Sequence, residues 1–190
     1  MKKQEEDEIP RGYLRVTQVL EPFSKLDTID RDTLANAADR GTRVHTYCEM
    51  YALNLFVDEY DEDCKNYVDS FKEWYDSMVV KLLYNEKRLN SQKYRISGKF
   101  DMVVQLKGDP SDCFTLLDIK TPASVSQSWS LQTAAYKILL ADEMNLPIKR
   151  RVCLQLPKQG GAAKLVEFLN HEEDQRLYLA ALSLYRHFNG

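Results

Sequence analysis

The sequence predicts a mixed α/β fold, and three observations predict it. Stretches in both halves of the 190-residue chain carry apolar residues at helical spacing. Between them, residues 84–120 break into three strand-like stretches separated by turn residues. A further helical stretch is then followed by a second strand hairpin, so helices and strands alternate along the chain. No internal repeat and no linker composition interrupts this order, and one domain over residues 1–190 is the economical expectation.

The elements follow in order. "MKKQEEDEIP" is polar and acidic, unlike a signal or transit peptide, and residues 1–12 are expected to form a flexible tail. "LRVTQVL" at 14–20 reads as a short strand or a helix entry. Residues 31–55 read as helical with an interruption at Gly41, which either joins two helices or lets another group approach the backbone. Residues 61–84 read as one helix, because Val68, Phe71, Trp74 or Tyr75, Met78, Val79, Leu82 and Leu83 form a single stripe. Gly108-Asp109-Pro110-Ser111-Asp112 is a strong turn signal, joining a strand that ends near Leu106 to one that starts near Cys113. A helix is expected over 127–145, with Leu131, Ala135, Ile138 and Leu139 on one face. A hairpin turning at Gln159-Gly160-Gly161 comes next, then an amphipathic helix over 171–188.

Composition narrows the function classes. Hydrophobic residues make up 44% and charged residues 29%, an ordinary balance for a globular chain, and the formal charge of −3 excludes a globally basic nucleic-acid coat. It leaves room for a locally basic groove. No apolar run approaches the roughly 20 residues needed to cross a bilayer, so no membrane role is expected. Cys48, Cys64, Cys113 and Cys153 are scattered, with no Cys-x-x-Cys pair, which argues against a thiolate metal site and for reduced, buried thiols in a cytoplasmic setting. No Gly-x-x-x-x-Gly-Lys-Ser/Thr motif occurs, so ATP use is not expected.

The chemistry concentrates in "LLDIKTP" and "ISGKFDMVV". Strand side chains alternate, so Asp118 and Lys120 share a face. The turn at 108–112 makes the strand bearing Gly98 and Asp101 the antiparallel neighbour of the strand bearing Asp118. Asp101 stands seven residues before Gly108 and Asp118 six after Asp112, so the two carboxylates come out nearly level. Adjacent aspartates repel, and a divalent cation or a shared proton compensates them. Hard oxygen ligands suit Mg²⁺ or Mn²⁺. Lys120 on the same face then suits a scissile phosphate or its attacking water. Read singly, Asp118 and Lys120 are equally a surface ion pair, and Asp101 a solvated turn residue.

Two more pieces complete an ordered set. "RGTRVHTYCE" holds Gly41 and His45, and "LQTAAYK" holds Gln132 and Tyr136 four residues apart, on one helix face. The series Gly41/His45, Glu86, Gly98/Asp101, Asp118/Lys120 and Gln132/Tyr136 resembles the RecB-like branch of the PD-(D/E)XK nucleases. The resemblance spans roughly residues 14–157, and "YLRVTQVLEPF" looks like the family's lead-in segment. It implies a restriction-endonuclease-like core, a mixed central β-sheet flanked by helices, with an N-terminal helical segment. It also implies metal ligation by Asp101, Asp118 and the Ile119 backbone carbonyl, completed by a neutral His45. Lys120 would be the catalytic lysine. Glu86, opening its strand, would be a more distant or second-metal carboxylate, and Gln132 and Tyr136 would hold the DNA backbone or position Lys120. Phe100 stands where the family's name has proline. Relatives with an iron–sulfur cluster use one cysteine near the histidine and three near the C-terminus, whereas only Cys153 follows Gln132 here, so no such cluster is expected.

The bland readings differ in strength. Glu86 in "YNEKRLN" is nearly as well explained as a solvated charge, Tyr136 as core and Gln132 as surface. Lys81, Lys87, Arg88, Lys93, Arg95 and Lys99, and equally Lys149-Arg150-Arg151, suit a phosphate-tracking surface or a solvated edge. Trp129 and Tyr94 suit base stacking or packing. The resulting expectation is a Mg²⁺- or Mn²⁺-dependent deoxyribonuclease, foremost an exonuclease acting at DNA ends in recombination, repair or replication, with DNA and a recombination or replication protein as partners. The rivals are a structure- or sequence-specific endonuclease on the same core and a non-catalytic DNA-binding subunit.

Overall fold

A computed structural model describes residues 8–24 and 30–189, and the acidic segment 1–7 of the expected tail lies outside them. Residues 8–12 are held against the body: the Tyr13 N–H donates to the Pro10 carbonyl at 3.1 Å and Asn90 Nδ2 to the Glu8 carbonyl at 3.4 Å.

The elements are β1 (Leu14–Arg15), α1 (Val16–Leu20), a 3-10 turn (Glu21–Phe23), α2 (Arg31–Ala52), α3 (Glu62–Met78), β2 (Val79–Ser91), β3 (Ile96–Leu106), β4 (Phe114–Lys120), α4 (Ser128–Met144), β5 (Ile148–Gln155), β6 (Lys164–Glu167) and α5 (His171–Asn189). "LRVTQVL" is therefore both a strand and a helix entry. The six strands form one mixed sheet in the order β2-β3-β4-β5-β6, with β1 lying parallel to the start of β3; β4 and β5 are parallel and the other pairs antiparallel.

Local chemistry sets the ends. Asp30 caps α2 by accepting the Thr33 N–H at 3.0 Å. Asn145 ends α4 in the left-handed region, at φ 49°. Glu172, Glu173 and Asp174 open α5, and Arg186 and His187 close it, each sign matching the helix dipole.

Two boundaries differ from expectation. The helix expected to Tyr84 stops at Met78, and Val79 turns extended to begin a 13-residue strand. The stripe Val79-Leu82-Leu83 satisfies a helical period, but the β-branched pair Val79-Val80 and antiparallel pairing with Leu106 through Val103 win. Glu86 consequently sits in the middle of β2 and does not open it. Gly41 does not break α2, which runs through it unbent by any cap; a Cβ there would meet only Thr121 Oγ1, at 3.5 Å.

The core has two parts, one on each face of the sheet. Val16, Val19, Leu139, Leu140, Tyr178 and Leu182 pack with Phe100, Val103 and Leu116 beneath α1, α4 and α5. Val44, Cys48, Tyr67 and Phe71 pack with Met102, Val104, Leu117 and Val152 beneath α2 and α3. The strands feed side chains to both faces, and so the sheet is clamped from both sides.

Candidate active site

The pairing of β3 with β4 runs from Val104–Thr115 to Met102–Leu117, and Asp101 and Asp118 are the next residues beyond its end on each strand. Opposite Asp101 on its other side, between the pairs Asn85–Met102 and Lys87–Phe100, stands Glu86. Glu86 and Asp101 thus lie side by side on β2 and β3, and Asp118 stands on the next strand, β4. His45 comes in from α2, its Nδ1 3.2 Å from Asp101 Oδ1. Ligand atoms of His45, Glu86 and Asp101 all lie within 4.8 Å of one another, so these three residues could hold a metal ion.

Glu86 has φ 47°, a left-handed backbone in the interior of a strand. A non-glycine residue there costs on the order of 1–3 kcal/mol, a strain that clusters at functional sites. Lys99 Nζ lies 2.7 Å from Glu86 Oε2, a contact that sequence reading did not supply although Lys99 stands in the same "GKFD" as Asp101.

Asp118 and Lys120 face one way, as their spacing predicts: Lys120 Nζ lies 2.6 Å from Asp118 Oδ2. Lys120 also donates to Gln132 Oε1 at 2.9 Å, and Gln132 Nε2 donates to the Tyr136 hydroxyl at 2.9 Å. The i, i+4 spacing on α4 therefore forms a relay that ends on the lysine. The Ile119 N–H donates to Asp101 Oδ2 at 2.5 Å, tying the two acidic strands together through a backbone group whose carbonyl was the one singled out from sequence. Beneath Asp118, Cys153 on the parallel neighbour β5 donates its thiol to Oδ2 at 3.7 Å. The β4–β5 register is the signal that would have found it.

The charges are strongly coupled. Burial opposes charge on Asp101, yet His45, the Ile119 N–H and Lys120 outweigh it and hold the carboxyl below its ordinary value. Burial pushes Asp118 up, and Asp101 adds to the rise against the pull of Lys120 and His45. Burial likewise raises Glu86, reinforced by Asp101 and opposed by Lys99. His45 is pushed up to about 9: burial works against its charge, but the Asp101 carboxylate prevails. Lys120 is raised despite burial, because Asp118 lies against it, and it remains an ammonium.

The remaining candidates separate cleanly. Arg151 is fully buried, which removes it from any phosphate-tracking surface or solvated edge. Arg150 is bound by Asp109 and Glu167, and Lys149 by Asp112. Trp129 is buried, 5.8 Å from Lys120 Nζ, and Tyr94 packs at the edge of the core with Lys93 Nζ 4.8 Å over its ring. Beside Gln132 a cleft of about 390 Å³ runs between α1 and the start of α4, lined by Arg15, Thr17, Gln18, Ser24 and Ser128 among others. All four cysteines are free and buried. Among the described residues, no helix is long and apolar enough to cross a membrane.

No family model and no curated protein sequence matches this chain. Its fold does match solved structures. A chain from Eubacterium rectale, provisionally named an exonuclease, aligns over 97% of this chain and 80% of its own at 10% identity, with a TM-score of 0.55. An alkaline exonuclease from Laribacter hongkongensis aligns over 93% of this chain and 91% of its own at 10% identity, but with a TM-score of 0.39. The first likeness shows that the mixed sheet and its flanking helices are a fold shared with that chain; the second is too loose to add to it.

Proposed function

We propose that this protein is a RecB-like PD-(D/E)XK nuclease, a metal-dependent deoxyribonuclease that hydrolyses phosphodiester bonds at DNA ends. The observation that carries this reading is the convergence of His45, Glu86 and Asp101 at one point, with Asp118 and Lys120 on the adjoining strand. The donor set fits a divalent cation: the Asp101 carboxylate adds to the rise of Glu86 beside it, and hard oxygens with one imidazole are suitable ligands for Mg²⁺ or Mn²⁺. His45, Glu86 and Asp101 would hold the ion, with Asp118 and the Ile119 carbonyl on the strand that completes the site. A bound divalent cation supplies an acidified water and stabilises charge on the phosphorus.

The chain's own residues do the rest. An ammonium has three N–H donors. Lys120 gives one to Asp118 and one to Gln132, leaving the third for a phosphoryl oxygen or the attacking water. Held as a cation beside Asp118, it neutralises developing charge. Gln132 and Tyr136 keep that ammonium directed, and the cleft past Gln132 gives a strand a path away from the reacting phosphate. The pathway of recombination, repair or replication, and a protein partner from it, belong to the same proposal.

The test is digestion of end-labelled linear DNA with Mg²⁺ or Mn²⁺, beside a closed single-stranded circle. The expected result is degradation of the linear DNA from its ends, survival of the circle, and loss of roughly 10³-fold or more of the rate in Asp118→Ala. Cleavage of the circle would transfer the reading to an endonuclease. A wild-type rate in Asp118→Ala would end it.

A further inference from the structure

Gly98 lies buried on β3, directly under α4. It has ordinary strand conformation, so its backbone does not call for glycine. Space does. A Cβ at position 98 would stand 2.8 Å from Cε1 and 3.0 Å from Cδ1 of Tyr136, and 2.7 Å from Cδ1 of Leu139. The Leu139 atom is the end of a flexible side chain and can turn aside. The Tyr136 ring is rigid and only 3% exposed, so it would have to retreat.

That ring is the far end of the relay to Lys120. Its hydroxyl lies 2.9 Å from Gln132 Nε2, and Gln132 Oε1 lies 2.9 Å from Lys120 Nζ. A buried hydroxyl needs a partner, and among the described residues Gln132 is the one it has. Lys120 in turn has two fixed partners, Asp118 and Gln132, pulling from different sides. Without Gln132 the ammonium would settle on Asp118 alone, and its third N–H would point elsewhere.

We propose that Gly98 is a positioning residue: its bare Cα sets the depth at which the Tyr136 ring rests on the sheet and so, through Gln132, where the Lys120 ammonium stands. This rests on the nuclease reading for its meaning in catalysis, but not for its geometry. A displacement near 1 Å in a catalytic group costs about 10²-fold in rate. A hydrogen bond to a charged group is worth roughly tenfold or more in occupancy.

The experiment has two readouts. The first is chemical acetylation of Lys120, followed by mass spectrometry on the full chain, which requires no activity. Lys120 in Gly98→Ala and in Tyr136→Phe should label roughly tenfold faster than in the wild type, relative to the exposed Lys158. The second is turnover on DNA. Each variant should lose about 10- to 100-fold in kcat with KM for DNA little changed, and Gly98→Ala should add nothing in the Tyr136→Phe background, where the relay is already cut. Unchanged Lys120 labelling, additive losses in the double variant, or a rise in KM in place of a fall in kcat would overturn the proposal. Should Gly98→Ala alone fail to fold, it is tested with Tyr136→Ala, which removes the obstructing ring. That double variant should fold and label like Tyr136→Ala; if it also fails, Gly98 serves packing alone and the proposal falls. If the chain digests no DNA at all, the nuclease reading fails while the labelling result still decides what Gly98 does.

Discussion

Two clusters of buried charge stand two strands apart in this sheet, on β3 and β5, and they are built on opposite principles. Around Arg151 on β5 every donor is answered from within. Nε donates to His171 at 3.1 Å, Nη1 to the Ser130 carbonyl at 2.8 Å and to Thr133, and Nη2 to Asp174 at 2.5 Å and to the Phe168 carbonyl. Five N–H donors meet five acceptors, so the guanidinium pins α4, β5 and the start of α5 together and has nothing left for a ligand. Around Asp101 the balance is the reverse. Carboxylates stand on three successive strands, Glu86 holds a strained backbone, and Asp118 and Glu86 are pushed towards protonation. A closed network of this kind is architecture; at the other cluster each carboxylate has one cationic neighbour, His45, Lys99 or Lys120, yet the acids still crowd one another, and a divalent cation can complete them.

Substitutions that neutralise one acid in each cluster should separate the two most sharply. Asp174→Asn leaves Arg151 buried without its counter-charge and should cost about 3–5 kcal/mol in a denaturant titration. A loss comparable to that of a surface substitution would show the Arg151 network to be less closed than its hydrogen bonds indicate. Glu86→Gln should change stability in chelator by less than about 1 kcal/mol, or raise it, while abolishing or crippling digestion. The sign follows from linkage. The folded pKa of Glu86 is raised, so the folded state binds more protons than the unfolded one, and the ionised carboxylate costs stability as pH rises through its ordinary range and above. A large destabilisation by Glu86→Gln would make that acid architectural too.

The smallest effect is a slope against pH. Burial, with Lys137 and Arg151 both donating to His171 Nδ1, holds this histidine below its ordinary value, against the weaker pull of Asp174 and Glu167. The unfolded chain therefore binds more protons as pH drops through about 6.5. The stability contributed here is complete above that pH and is lost as pH falls towards the lower folded value. His171→Gln should flatten this part of the stability profile; an unchanged slope would remove His171 from the network.

Much of the fold is legible in the sequence wherever two signals agree. The turn at 108–112 and the runs on either side of it fix the β3–β4 pairing, from Val104–Thr115 to Met102–Leu117. Helix α4 and the hairpin at Gly160-Gly161 are equally plain, the glycines taking φ of 78° and 94°. The α3–β2 boundary is not, because "MVVKLL" fits both periods and only pairing with β3 decides. The buried fate of Arg151 is hidden for a related reason: a basic run reads as surface until the partners that enclose it, Asp174 and His171, are brought from another element. At the site, the i, i+4 spacing of Gln132 and Tyr136 places them on one face. That this face reaches Lys120, that Glu86 joins His45 and Asp101, and that Cys153 lies under Asp118 are facts of tertiary packing, invisible at the level of motif.

The central claim is that the Asp101 cluster takes up a divalent cation, and titration calorimetry with Mn²⁺ on the wild type and Asp101→Asn tests it most directly. Because Asp101 holds His45 at about 9, cation uptake should release a proton and strengthen as pH rises from 6 towards that value. The account predicts saturable binding by the wild type with this pH dependence, and binding weaker by about 10- to 100-fold in Asp101→Asn. A wild-type chain that takes up no Mn²⁺, or a variant that binds it equally well, would contradict the account.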